Sequence, residues 1–75
     1  MYGWRESPEQ FGRRIQKLRE KRRVSRKTMA ELIGISRTSL GNYERGDRAP
    51  DIIVASKIAD YFDISMDELL GRKRE

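Results

Sequence analysis

The chain has 75 residues, 17 of them Lys or Arg and 12 Asp or Glu, giving a net charge of +5. That length accommodates one domain with a small core. The absence of cysteine and histidine excludes a disulfide framework and removes the usual zinc ligands and the usual general base.

Residues 1–6 have no periodicity and read as a loose arm, with Trp4 expected to cover an apolar edge of the domain or, as the lesser reading, to contact a partner. Ser7-Pro8-Glu9-Gln10 is a sharp helix start: Ser7 caps, Pro8 takes the first helical position and Gln10 completes a capping box. The first helix is predicted to run to about Arg22, with Phe11, Ile15 and Leu18 on one stripe and Arg13, Arg14, Lys17, Lys21, Arg22 and Arg23 on other faces.

Ser25 can cap a second helix, expected over 26–33, while Val24 and Met29 bracket it as a hydrophobic staple. Ile35, Ser36 and Leu40 repeat the arrangement for a third helix over 37–45. Between them Gly34 stands where the chain must turn left-handed, which glycine does without steric cost. Met29, Leu32, Ile33, Leu40 and Tyr43 fall at helical spacing and are expected inward, and Ala30 leaves room for a crossing helix. Helix, tight glycine turn and capped helix make a helix-turn-helix over 26–46.

Gly46 ends the third helix, and Asp51 caps a fourth over 52–62 whose core face is expected to be Ile52, Ala55, Ile58, Ala59 and Phe62. Val54, Tyr61 and Ile53 form a second apolar stripe, either covered by neighbours or available for self-association. Ile64, Ser65, Glu68 and Leu69 give a capped fifth helix over 66–70, stopped by Gly71, and 71–75 is a charged tail. There is no strand signal, so the expected fold is all-α, a compact five-helix bundle spanning 7–70.

Charge is polarised along the chain. Residues 13–27 hold nine Lys and Arg against one acid, and residues 49–70 hold five acids against one Lys. A domain with one basic side suits an extended polyanion.

The run MAELIGISRTSLGNYERG resembles the helix-turn-helix of the Cro/repressor (XRE-type) family, and the resemblance covers roughly residues 11–70. Small alanine, turn glycine, staple pair and closing Glu-Arg-Gly stand in the family's order. It implies a lambda-repressor-like domain whose third helix enters the major groove of duplex DNA. Carried over by position, Arg37, Thr38 and Asn42 are the base readers. Arginine suits guanine O6 and N7, and asparagine suits adenine N6 and N7. Arg26, Lys27, Ser39, Arg45 and Arg48 fall at backbone-contact positions, and Arg19 and Glu44 at those of a structural ion pair. This sequence departs from the family at Arg26, where glutamine is frequent, and at Gly41, where most members carry a polar or charged side chain.

The resemblance further implies a cytoplasmic transcriptional repressor of bacterial or phage origin that binds a palindromic operator as a homodimer. No enzyme activity, cofactor, membrane or small-molecule site is expected. A helix-turn-helix antitoxin or regulator whose main partner is another protein is the alternative, with the Val54/Tyr61 stripe as its support.

Overall fold

The computed structural model describes residues 7–71; the expected arm, Trp4 and the tail over 72–75 lie outside the described residues. Five helices follow one another: α1 (Pro8–Lys21), α2 (Arg26–Ile33), α3 (Arg37–Arg45), α4 (Ile52–Phe62) and α5 (Met66–Leu69). Each begins at a short polar residue in extended conformation whose side chain accepts from a backbone N–H three residues on. The caps are Ser7, Ser25, Ser36, Asp51 and Ser65, and Gln10 and Glu68 close the reciprocal bonds of two capping boxes. Helices this short are marginal alone, so the caps supply about 1 kcal/mol each and burial must do the rest.

Left-handed caps end the middle three helices. After Gly34, Gly46 and Asp63, the next N–H returns to the last turn: Ile35 N to Ala30 O, Asp47 N to Asn42 O and Ile64 N to Ala59 O. Gly46 is constrained twice. Its φ is 79°, and a Cβ there would stand 2.7 Å from the Glu9 Cα.

Every helix sends at least one large side chain into a single core: Phe11 and Ile15 from α1, Met29 from α2, Leu40 from α3, Ile58 from α4 and Leu69 from α5, each under 2% exposed. Burial of each contributes about 1.5–3 kcal/mol. α1 and α3 approach most closely, at Gly12, where a Cβ would meet the Tyr43 and Glu44 carbonyl oxygens.

Two core expectations are corrected. Leu32 is 66% exposed and Ile52 76%. The inner face of α2 is centred between Met29, Ala30 and Ile33, which places Leu32 beyond its edge, beside Lys57, Asp60 and Tyr61. Ile52 lies in the first turn of α4, where burial does not begin until Val54 and Ala55. Val54 and Tyr61 are half-buried and pack on the core, while Ile53 stays exposed.

Candidate nucleic-acid interface

Among the described residues Glu44, in the last turn of α3, is the one buried charged side chain, 4% exposed. Its carboxylate accepts from two arginines. Arg19 of α1 donates from Nε to Oε2 at 2.7 Å and from Nη2 to Oε1 at 3.2 Å, and Arg26 donates from Nε to Oε1 at 2.9 Å. Arg19 also donates from Nη1 to the Val24 carbonyl at 2.9 Å, pinning the turn between α1 and α2. A buried carboxylate is tolerable only when paired and hydrogen-bonded, and both conditions are met. The hydrogen bond to Glu44 is the main reason that the Arg19 pKa is raised; burial opposes it, and attraction to Glu44 and Glu20 adds to it. A raised basic pKa stabilises the fold fully below its unfolded value, so Arg19 introduces no pH dependence near neutrality.

This knot fixes α3 from behind and leaves its other face outward. Arg37 and Thr38 are exposed in the first turn, and Asn42 is half-buried one turn on. Ser39 is half-buried with its backbone N–H and its Oγ both on Ser36, at 2.9 Å. Lys27 and Arg48 are exposed at the two ends of the motif. Arg26 joins them through its terminal nitrogens: Nε is held by Glu44, but 37% of the side chain stays accessible. An open groove of about 410 Å³ is lined by Arg26, Arg37, Thr38, Gly41 and Arg45, three cations without an acid among them.

The Arg45 side chain, 56% accessible, has two acceptors on the surface. Its Nε donates to Asp47 Oδ2 at 3.0 Å and its Nη2 to Asn42 Oδ1 at 2.7 Å. Since guanidinium only donates, the Asn42 atom facing it is the carbonyl oxygen, and the Asn42 amide N–H groups remain free to turn outward. Gly41 lies on that open face, lining the groove, and is buried there beneath the Arg45 guanidinium.

Sequence reasoning missed two contributors. Gly12 sets the α1–α3 distance; its signal was a glycine inside a helix, where it costs about 1 kcal/mol relative to alanine. Arg22, which the sequence places only off the apolar stripe of the first helix, donates from Nη1 and Nη2 to the Tyr61 and Phe62 carbonyls, both at 2.8 Å, and so closes the end of α4. Among the described residues no group of His, Cys, Asp or Glu could hold a metal ion, and no helix is long and apolar enough to cross a membrane.

A capped helix crossing behind an outward helix, with cations at both flanks, defines a helix-turn-helix domain of the nucleic-acid-binding kind. The chain belongs to the helix-turn-helix family whose model matches residues 15–69. It is 39% identical over 62 residues to the HTH-type transcriptional regulator AnsR of Bacillus subtilis (strain 168), covering 83% of this chain and 53% of that protein. It is 43% identical over 60 residues to the cryptic phage CTXphi transcriptional repressor RstR of Vibrio cholerae, covering 76% of this chain and 54% of the repressor. The chain thus spans about half the length of these two relatives. Among solved structures, the restriction-modification controller protein C.AhdI from Aeromonas hydrophila superposes with a TM-score of 0.78 at 35% identity, covering 83% of this chain and 94% of that one.

Proposed function

We propose that this domain binds duplex DNA sequence-specifically and regulates transcription, as a repressor, in the cytoplasm. The observation that carries the reading is the outward face of α3, held from behind by Glu44 and bordered by a groove lined by Arg26, Arg37 and Arg45. In this reading α3 lies in the major groove. Arg37 reads guanine, Asn42 reads adenine with its free amide N–H and remaining lone pair, and Thr38 offers a hydroxyl or methyl contact. Lys27, Arg48 and the free end of Arg26 neutralise phosphates, aided by the N-terminus of α2. Ser39 gives a lesser backbone contact. The domain acts as a binder and carries no catalysis.

Two copies occupy a two-fold site, meeting near Tyr61, Met66 and Leu70, all half-buried at the ends of α4 and α5. The protein-partner alternative loses part of its support, because Val54 and Tyr61 pack against the core. Selection of bound sequences from random duplex DNA tests the whole reading: an enriched, two-fold symmetric motif is expected. Retention without any enriched sequence would reduce the domain to a non-specific polycation.

A further inference from the structure

Gly41 sits in the middle of α3, at the centre of the face that the proposed function lays in the groove, and contributes no side chain to it. The position is nevertheless filled. A Cβ at Gly41 would stand 3.0 Å from Arg45 Nη1 and 3.8 Å from its Cζ, so the Arg45 guanidinium lies folded back over Gly41, one helical turn towards the N-terminus. The four residues from 41 to 45 span about 6 Å along the helix, the difference between the end of α3 and the middle of its groove-facing stripe. Positions 37, 41 and 45 share that stripe.

We propose that Arg45 is a specificity-determining residue that reads a guanine through the space left by Gly41. The inference rests on the DNA-binding reading and alters it at one residue, since the resemblance puts Arg45 among the phosphate contacts. Two acceptors set the plane of its guanidinium, Asp47 Oδ2 on Nε and Asn42 Oδ1 on Nη2. Nη1 makes no hydrogen bond to the described residues, which leaves it and the second Nη2 proton as a donor pair beside the groove that Arg45 lines with Arg37 and Arg26. A phosphate contact asks for charge and reach, which a free side chain supplies. A base edge asks for a planar donor pair at fixed orientation, and O6 and N7 of guanine match such a fork. Asp47 and Asn42 favour that orientation before DNA arrives, and Gly41 leaves open the space in which a Cβ would crowd Nη1 at 3.0 Å.

The test uses a binding site obtained by selection, every single-base variant of it, and two salt concentrations. Arg45→Lys keeps the charge and loses the fork. Discrimination should fall by about 5- to 150-fold at one G·C pair per half-site, with the slope of log K against log salt preserved. Gly41→Ala should lose preference at that same pair, because its Cβ crowds Nη1, while its melting temperature stays equal or rises because alanine is the better helix former. Agreement of the two variants on one base pair establishes the assignment. A uniform loss across all variants of the site in Arg45→Lys, or Gly41→Ala with unchanged preference everywhere, overturns it and returns Arg45 to the backbone. If the unaltered chain selects no sequence at all, the DNA-reading proposal itself fails, which is a different result from either.

Discussion

Glu44 is a residue whose neighbours decide its energetics. With 1% of its side chain accessible, it depends on Arg19, 11% accessible, and on Arg26, 37% accessible. Removing the carboxylate by Glu44→Ala strands the buried Arg19 charge, and such losses cost about 3–5 kcal/mol. Arg26→Ala leaves the Arg19 pair whole and removes a half-exposed contact worth about 0–1 kcal/mol. Arg19→Ala should fall between them, since Glu44 retains Arg26 but the Val24 carbonyl loses its donor. Denaturant titrations of the three single variants and of the Arg19/Glu44 double variant check the order and the coupling; equal, small and additive effects would mean that the knot contributes nothing to stability. The same cluster shows why a basic run in sequence overstates the charge available to a ligand. Of the nine cations in residues 13–27, Arg19 and Arg26 are bound to Glu44, Arg22 to the end of α4, and Arg14 reaches the Leu69 carbonyl at 3.4 Å.

At the scale of elements, the crossing of α1 over α3 hinges on Gly12. Gly12→Ala places a methyl against two backbone carbonyls that cannot rotate away, so the helices must separate; a loss of about 3 kcal/mol or more is expected in denaturant melts. The end of α4 offers the opposite opportunity. Asp63 holds φ 55°, a strained value for a residue with a Cβ, and places a negative charge at the negative end of a helix. Asp63→Gly relieves both, offset partly by glycine's flexibility in the unfolded chain. It should raise stability by about 0.5–1 kcal/mol, or roughly 2–8 °C in melting temperature for a domain of this size. The helices were legible because their signals are local: Ser25, Ser36 and Ser65 each stand beside a hydrophobic staple, and glycine closes two of the turns. Leu32 and Ile52 were misread because spacing defines a stripe and leaves its edges open, and those edges depend on which neighbours arrive. Arg45 over Gly41 and the sharing of Glu44 by two arginines were illegible for a related reason. Family position assigns a residue a place, and the direction of a long side chain is set by acceptors such as Asp47 that position alone does not pair with it.

For the whole molecule, size limits how it binds. The described residues measure 34 × 23 × 20 Å, and the half-buried Tyr61, Met66 and Leu70 leave a small apolar area for pairing. Two copies should therefore associate weakly when free and firmly when DNA holds both, with their recognition helices about 34 Å apart, one turn of the duplex. Sedimentation at micromolar concentration should show mostly monomer without DNA and two copies per selected site with it; a one-to-one complex on an asymmetric site would end the two-fold model. Salt dependence then counts the phosphates. If Lys27, Arg48 and Arg26 each neutralise one phosphate per copy, alanine at any of them should lower the magnitude of the log K against log salt slope by about 0.9 per copy bound, twice that for the pair. Arg26→Ala is the informative member of the set. Part of its charge is already compensated by Glu44, so a drop as large as that for Lys27→Ala shows that the free Nη end reaches the DNA in its own right. An unchanged slope with lowered stability would instead confine Arg26 to the Glu44 knot, leaving Lys27 and Arg48 as the flanking clamp on the duplex.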